Sequence, residues 1–240
     1  MDNNENNSKT ISVVISGVGF LSGTNENLIT DDCLKKYIRT KDLRITPRIS
    51  QIGAAAARLA LLNAKLIEEE SGNFHEELAS FYPPYRRAIF LASPPTTCNI
   101  DELFPAFEYW PRDKHFNLSE LNDYWRLGAK KIFPLWLIRG LSNNLLGQLS
   151  IRYQFKGDNL NFTNGSESWL SAFKTASWSI RENRSDLVLV GIFDSSYDWF
   201  LKNEKKICAV TGPIGELKDE GGLFVILERE DLLKLRKRQN

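Results

Sequence analysis

The sequence predicts an α/β fold, a mainly parallel mixed sheet flanked by helices. Short apolar, β-branched runs recur at 10–20, 86–93, 186–194 and 223–230. Segments of helical composition and periodicity lie between them. No repeat or low-complexity linker divides residues 10–240. Strands alternating with helices favour parallel pairing, because each crossover helix returns the chain to the same end of the sheet. The polar start, MDNNENNSK, is expected to be disordered over 1–9, with 10–240 as one domain.

The elements follow in order. TISVVISGVGF (10–20) is a buried strand leading into a glycine turn. DDCLKKYIRT (31–40) is a short helix with acids at its start. SQIGAAAARLALLNAKLIEEE (50–70) is a strong helix, and its four consecutive alanines predict close packing on a sheet. RRAIFLAS (86–93) is a second buried strand, closed by Pro94 and Pro95. The stretch from Phe104 to Trp136 is irregular and holds nine of the chain's 27 aromatic residues. PLWLIRGLSNNLLGQLSIRYQF (134–155) predicts one helix opening at Pro134. A KGDN turn, the strand LNFT, a helix over 166–182 and the strand DLVLVGIFD (186–194) come next, and LFVILERE (223–230) is the last strand, before a short basic helix or tail.

Composition narrows the function classes. Lys and Arg number 31 against 30 for Asp and Glu, so charge points to neither nucleic acid nor an anionic membrane. Cys33, Cys98 and Cys208 form no CxxC pair, which suits a reducing compartment and predicts neither a disulfide framework nor a metal site. No apolar run approaches a membrane span and the start lacks a signal-peptide pattern. The expectation is a soluble cytoplasmic protein without cofactor or metal.

Three places could hold chemistry. Gly17, Gly19 and Gly23 in SGVGFLSG lack the following helix and acidic residue of a dinucleotide fingerprint, so a tight turn is favoured. His75 and His115 sit in polar segments without a second ligand at metal spacing, and are taken as surface residues. The sharpest case is NFTNGSESWLSAFKTA (161–176), a strand, a turn and a helix start. A helix amino terminus stabilises an anion, so Ser166 stands where a nucleophile would work. It would need a base within reach. Asn164 with Glu167 also matches a capping box, which would explain both residues structurally.

Taken together, these pieces resemble the N-terminal half of a β-ketoacyl synthase, a thiolase-fold condensing enzyme. ISVVISGVGFLSG resembles that family's opening strand and RISQIGAAAARLALLNAKL its first long helix. FPLWLIRGLSNNLLGQLSIRYQFKGDNLNFTNGSESWLSAF is similar to the proline-led helix, the turn (here Gly157-Asp158-Asn159) and the strand that delivers the catalytic cysteine. DEGGLFVILERE is similar to the family's glycine-rich run and closing strand, with Glu220, Gly221, Gly222 and Glu228 in matching places. In the family pattern Thr-Ala-Cys-x-Ser the cysteine falls on Ser166, with Asn164 and Gly165 before it and Ser168 after it. The second half, with the family's catalytic histidines, has no counterpart here, and His75 and His115 match neither of them.

The resemblance implies a lost nucleophile and no catalytic residue. More narrowly, the chain resembles chain-length factors and the short ketosynthase-like proteins of aryl polyene pathways. It implies a heterodimer with a full-length β-ketoacyl synthase acting on acyl carrier protein substrates, with no nucleic-acid partner. Phe107, Trp110, Phe133 and Trp136 are the candidates for shaping the acyl-chain tunnel, although core filling would explain any one of them. Leu160, Asn161, Phe162 and Thr163 are the candidates for the dimer interface. Two other readings stay open: an acyltransferase or thioesterase using Ser166, and an acyl-carrier-protein-binding assembly module.

Overall fold

The expected alternation of strands and helices is present in the computed structural model, which describes residues 11–23, 28–39, 42, 46–68, 78, 81–95, 103–108, 117–195, 211–212, 215–216 and 220–239. Of Ser166, 211–212 and 215–216 it describes the backbone alone. The first strand is β1 (Val13–Gly23), followed by α1 (Asp31–Lys35), α2 (Arg48–Asn63) and β2 (Arg87–Ala92). The aromatic segment holds α3 (Phe104–Phe107) and α4 (Leu118–Asp123). Then come α5 (Trp136–Arg139), α6 (Asn144–Tyr153), β3 (Asn159–Phe162), α7 (Ser168–Arg181) and β4 (Leu187–Ser195). β5 (Thr211–Gly212) and β6 (Gly215–Glu216) form a small pair, and β7 (Glu220–Arg229) leads into α8 (Glu230–Gln239).

Five strands make one mixed sheet in the order β1-β7-β4-β2-β3. β2 pairs in parallel with β3 and with β4, while β7 runs antiparallel to β4 and to β1. The parallel half follows from helical crossovers between β2, β3 and β4. The antiparallel half arises because β7 starts where β4 ends, with Ser195 opposite Glu220.

Helices cover both faces. On one face α2, with Leu145, Leu149 and Tyr153 of α6, packs on Ile89, Leu91, Leu189, Phe193, Phe224 and Ile226. On the other, Trp169, Ala172, Ala176 and Ile180 of α7 pack on Phe90, Val188, Val190, Ile192 and Val225. α7 covers β2 and β4 but leaves the outer strand bare: Ile15, Val18 and Phe20 of β1 are 57%, 45% and 49% exposed.

The glycines of β1 differ from expectation. They lie inside the strand rather than in a turn after it. A Cβ on Gly19 would sit 2.0 Å from Ala56 O, and one on Gly17 2.5 Å from Ala60 O. Backbone thus rests on backbone, and the alanines supply the matching small surface, as their run predicts. α2 stops at Asn63 rather than near 70, because Lys65 turns left-handed at φ 55°. Arg236 of α8 closes that end by donating to Ala64 O at 3.0 Å and Lys65 O at 3.1 Å. The same guanidinium pairs with buried Glu228 at 2.9 Å, and the Tyr82 hydroxyl donates to Glu228 as well.

The helix expected over 134–155 is broken. α5 ends at Arg139, with Gly140 as its C-cap, and α6 begins at Asn144. The intervening Ser142 carbonyl meets Ser93 Oγ at 3.3 Å, which ties the break to the end of β2.

Candidate functional site

In an α/β sheet, binding sites form at the carboxyl ends of parallel strands, where crossover helices begin. Here β2, β3 and β4 end at Ala92, Phe162 and Ser195, and α7 begins at Ser168. The chain enters α7 through Gly165, which is left-handed at φ 72°, and a 3₁₀ turn over Gly165–Glu167.

That entry corrects one expectation. The capping box of Asn164 and Glu167 does not form: Asn164 makes no capping bond, and Glu167 itself occupies the N-cap of α7 without a side-chain bond. The extra 3₁₀ turn places Asn164 outside the reach of the α-helical N–H groups. A capping box does exist elsewhere, at Asn117 and Glu120 of α4, where each side chain bonds the other residue's backbone N–H. The sequence Asn-Leu-Ser-Glu carries the required spacing there.

The backbone of Ser166 lies in the entry turn; its side chain lies outside the described residues, as do His75, His115 and Trp110. Ser168 is buried, and its Oγ has no hydrogen-bond partner. A second buried group without a full set of partners is Asp194, which the sequence reading missed. Its Oδ1 accepts from Ser195 N–H at 2.7 Å and its Oδ2 has no partner. Burial pushes its carboxyl up to about 6, against the pull of that one N–H. The signal was present in LVLVGIFD, an apolar strand that closes on an acid.

Asp194 and Ser168 belong to the same end of the same face. Along β4, Val188, Val190 and Ile192 point to α7, and Asp194 is the next position of that alternation. α7 runs back along β4. From Ile180 to Ser168 the helix rises about 18 Å, and from Val188 to Asp194 the strand advances about 20 Å. Asp194 and the start of α7 therefore both lie toward the carboxyl end of the parallel strands.

The predicted interface residues separate. β3 is an edge strand of the sheet. Leu160 is 50% exposed. Phe162 instead packs against the α7 cluster, and Asn161 turns inward, donating to Ser93 Oγ at 2.9 Å while its Oδ1 lacks a partner. Thr163 is half-buried. Of the predicted tunnel residues, Phe107 and Phe133 are 45% and 38% exposed and so do not fill a core within this chain. Trp136 is half-buried. The Arg139 guanidinium lies 5.3 Å from the Phe133 ring centre. Leu118, Trp125, Leu137, Ile138 and Leu141 of the same segment are also exposed.

At the opposite side of this sheet end, buried Glu220 accepts from Arg48 Nε at 2.8 Å and from Ile29 N–H at 2.7 Å. Its charge sits at the positive start of α2. Among the described residues no group of His, Cys, Asp and Glu could hold a metal ion, and no helix is long and apolar enough to cross a membrane.

No family model matches the sequence, and no curated protein does either. Solved structures match the fold. A type II polyketide synthase acyl-carrier protein in complex with its ketosynthase, bound to the hexaketide, matches at TM-score 0.69 and 18% identity over 95% of this chain. A β-ketoacyl synthase from Burkholderia phymatum STM815 matches at 0.60 and 14%, and the ishigamide ketosynthase/chain length factor at 0.60 and 17%, again over 95% of the chain. The chain spans 66%, 61% and 60% of the length of these three structures. At such identities the match establishes the thiolase-like fold of ketosynthases and chain length factors, which is the fold that the sequence resemblance indicated.

Proposed function

We propose that this chain is a non-catalytic, ketosynthase-like subunit that pairs with a full-length β-ketoacyl synthase and helps shape its acyl-chain tunnel. The pathway would be polyketide or fatty-acid-like, of the aryl polyene kind, with acyl carrier protein meeting the complex through the partner. The observation that supports the reading is the turn itself, with strand, left-handed glycine and buried helix start, where the family resemblance puts the cysteine at Ser166. A serine there lacks the low-pKa thiolate that takes up an acyl group.

The surface supports pairing. β3 leaves one edge unpaired by any other described strand, and an open edge takes a further strand readily. The exposed rings and aliphatic side chains of the 104–141 segment add an apolar area of the kind that marks association surfaces. The ishigamide ketosynthase/chain length factor offers a precedent for such a pair in this fold.

Co-expression with a β-ketoacyl synthase, followed by light scattering, tests the proposal. A one-to-one complex with condensing activity that the isolated chain lacks is expected. Condensation by the purified chain alone, or a chain that stays a well-folded monomer beside its neighbouring ketosynthase, would overturn it. Ser166→Ala should leave the output of the complex unchanged. Loss of output with folding preserved, or covalent labelling of Ser166 by a phosphonate, would favour an acyltransferase or thioesterase instead.

A further inference from the structure

We propose that the turn at 134–141 docks this chain onto an anionic phospholipid bilayer: Pro134, Leu137, Ile138 and Leu141 enter the membrane interface, and Lys130 and Lys131 meet its phosphates. The inference stands whether or not the pairing reading holds, and it gives this part of the 104–141 segment a lipid occupant.

The face is turned the wrong way for a helix that packs only on its own chain. The backbone N–H groups of Trp136, Arg139, Gly140 and Leu141 donate to the carbonyls of Phe133, Leu135, Trp136 and Ile138, so the stretch winds in successive turns around α5. Pro134, Leu137, Ile138 and Leu141 recur three and four positions apart, which puts them on one side of that winding. It is the outer side: Leu137, Ile138 and Leu141 are 73%, 55% and 53% exposed, and Pro134 is exposed as well. Trp136 and Arg139 fall on the opposite side and are half-buried, with the guanidinium against the Phe133 ring. An apolar face presented outward in this way marks a contact with another body, protein or membrane.

Charge decides between the two. The whole chain is nearly balanced, yet no acidic residue occurs from Tyr124 to Gly157, where six basic residues do. Arg152 pairs with Asp42, and Arg126 lies 3.7 Å from Asp123 of α4. Lys130 and Lys131 are exposed on the 3₁₀ turn over Ala129–Lys131. Two residues separate Lys131 from Pro134, so their Cα atoms lie within about 11 Å. Lysine is depleted in protein interfaces. Beside exposed Leu and Ile it suits a bilayer, because its stem lies along apolar surface while the ammonium group reaches a phosphate. A four-residue helix such as α5 rests in the interface and does not cross it.

Sedimentation of the full chain with vesicles at about 0.1 M salt tests the proposal. One set is phosphatidylcholine alone, and the other carries one part in four phosphatidylglycerol. The chain should sediment with the anionic vesicles and at least about tenfold more weakly with the neutral ones. Lys130→Gln with Lys131→Gln should weaken anionic binding roughly 30-fold, and Leu137→Ser with Ile138→Ser by about tenfold or more. Phe20→Ser removes an exposed ring from β1, away from these lysines, and should bind as the unaltered chain does. Circular dichroism should show every variant folded, since each changed side chain is exposed. If the leucine–isoleucine variant fails to fold, the lysine variant decides alone. No sedimentation with anionic vesicles, equal binding to neutral ones, or an equal loss in Phe20→Ser overturns the proposal. So does a leucine–isoleucine variant that loses its ketosynthase by light scattering but keeps its vesicles, which assigns the face to a protein.

Discussion

Asp194 makes stability depend on pH in a direction opposite to that of most carboxylates. Its carboxyl is raised from 3.8 to about 6 in the fold, so the folded chain holds the proton more tightly than the unfolded one. Its contribution is fully present below pH 3.8 and is lost as pH rises through about 6. Asp194→Asn should therefore match the unaltered chain near pH 3 and exceed it at pH 7.5, by up to about 3 kcal/mol. Urea denaturation at the two pH values measures this. Gly19 is the other residue whose environment decides its identity. A methyl group there would meet the Ala56 carbonyl, so Gly19→Ala should destabilise by roughly 1–3 kcal/mol, with α2 pushed off β1.

The elements show which parts of the structure could be read in advance. The long helix and the four main strands were legible, because apolar runs and alanine composition report burial directly. Boundaries were less so. Nothing in PLWLIRGLSNNLLGQ marks its break except Gly140, and what fixes the break is a bond from Ser93, some 50 positions away. The turn at Asn164 has the spacing of a capping box but a left-handed glycine inside it, so backbone geometry overrode side-chain chemistry. The candidate site was half legible: the turn has a pattern of its own, while Asp194 closes a strand whose apolar run reads as burial alone. α8 was similarly underrated. LRKRQ looks like a solvated tail, yet Arg236 is buried and joins Glu228 to the Ala64 and Lys65 carbonyls just past α2. Arg236→Ala should leave Glu228 buried and uncompensated, at about 3–5 kcal/mol. The double variant with Glu228→Gln should recover part of that loss. Denaturation midpoints of the single and double variants check both expectations.

At the scale of the whole molecule, association should depend on Leu160 and not on Phe162: both lie on the α7 face of β3, but only Leu160 is left exposed. Leu160→Asp places a charge on the exposed face of the edge strand and should abolish a complex with a ketosynthase while leaving the chain folded. Phe162→Asp should fail earlier, in folding, because that ring packs under α7. Circular dichroism and size-exclusion chromatography of the two variants separate these outcomes. The sheet order has a consequence for how the molecule comes into being. β7 lies between β1 and β4, so Val13 finds its partner in Arg229 and Leu187 finds one in Glu228. A ribosome must therefore release well over 200 residues before the first strand has a strand partner. Until then β4 shows a long apolar margin, and Ile15, Val18 and Phe20 travel on an unpaired ribbon. Such a nascent chain folds late and leans on chaperones while it waits. Pulse-labelled translation arrested just before residue 220 should yield a protease-sensitive chain, and arrest once β7 has cleared the exit tunnel a resistant one.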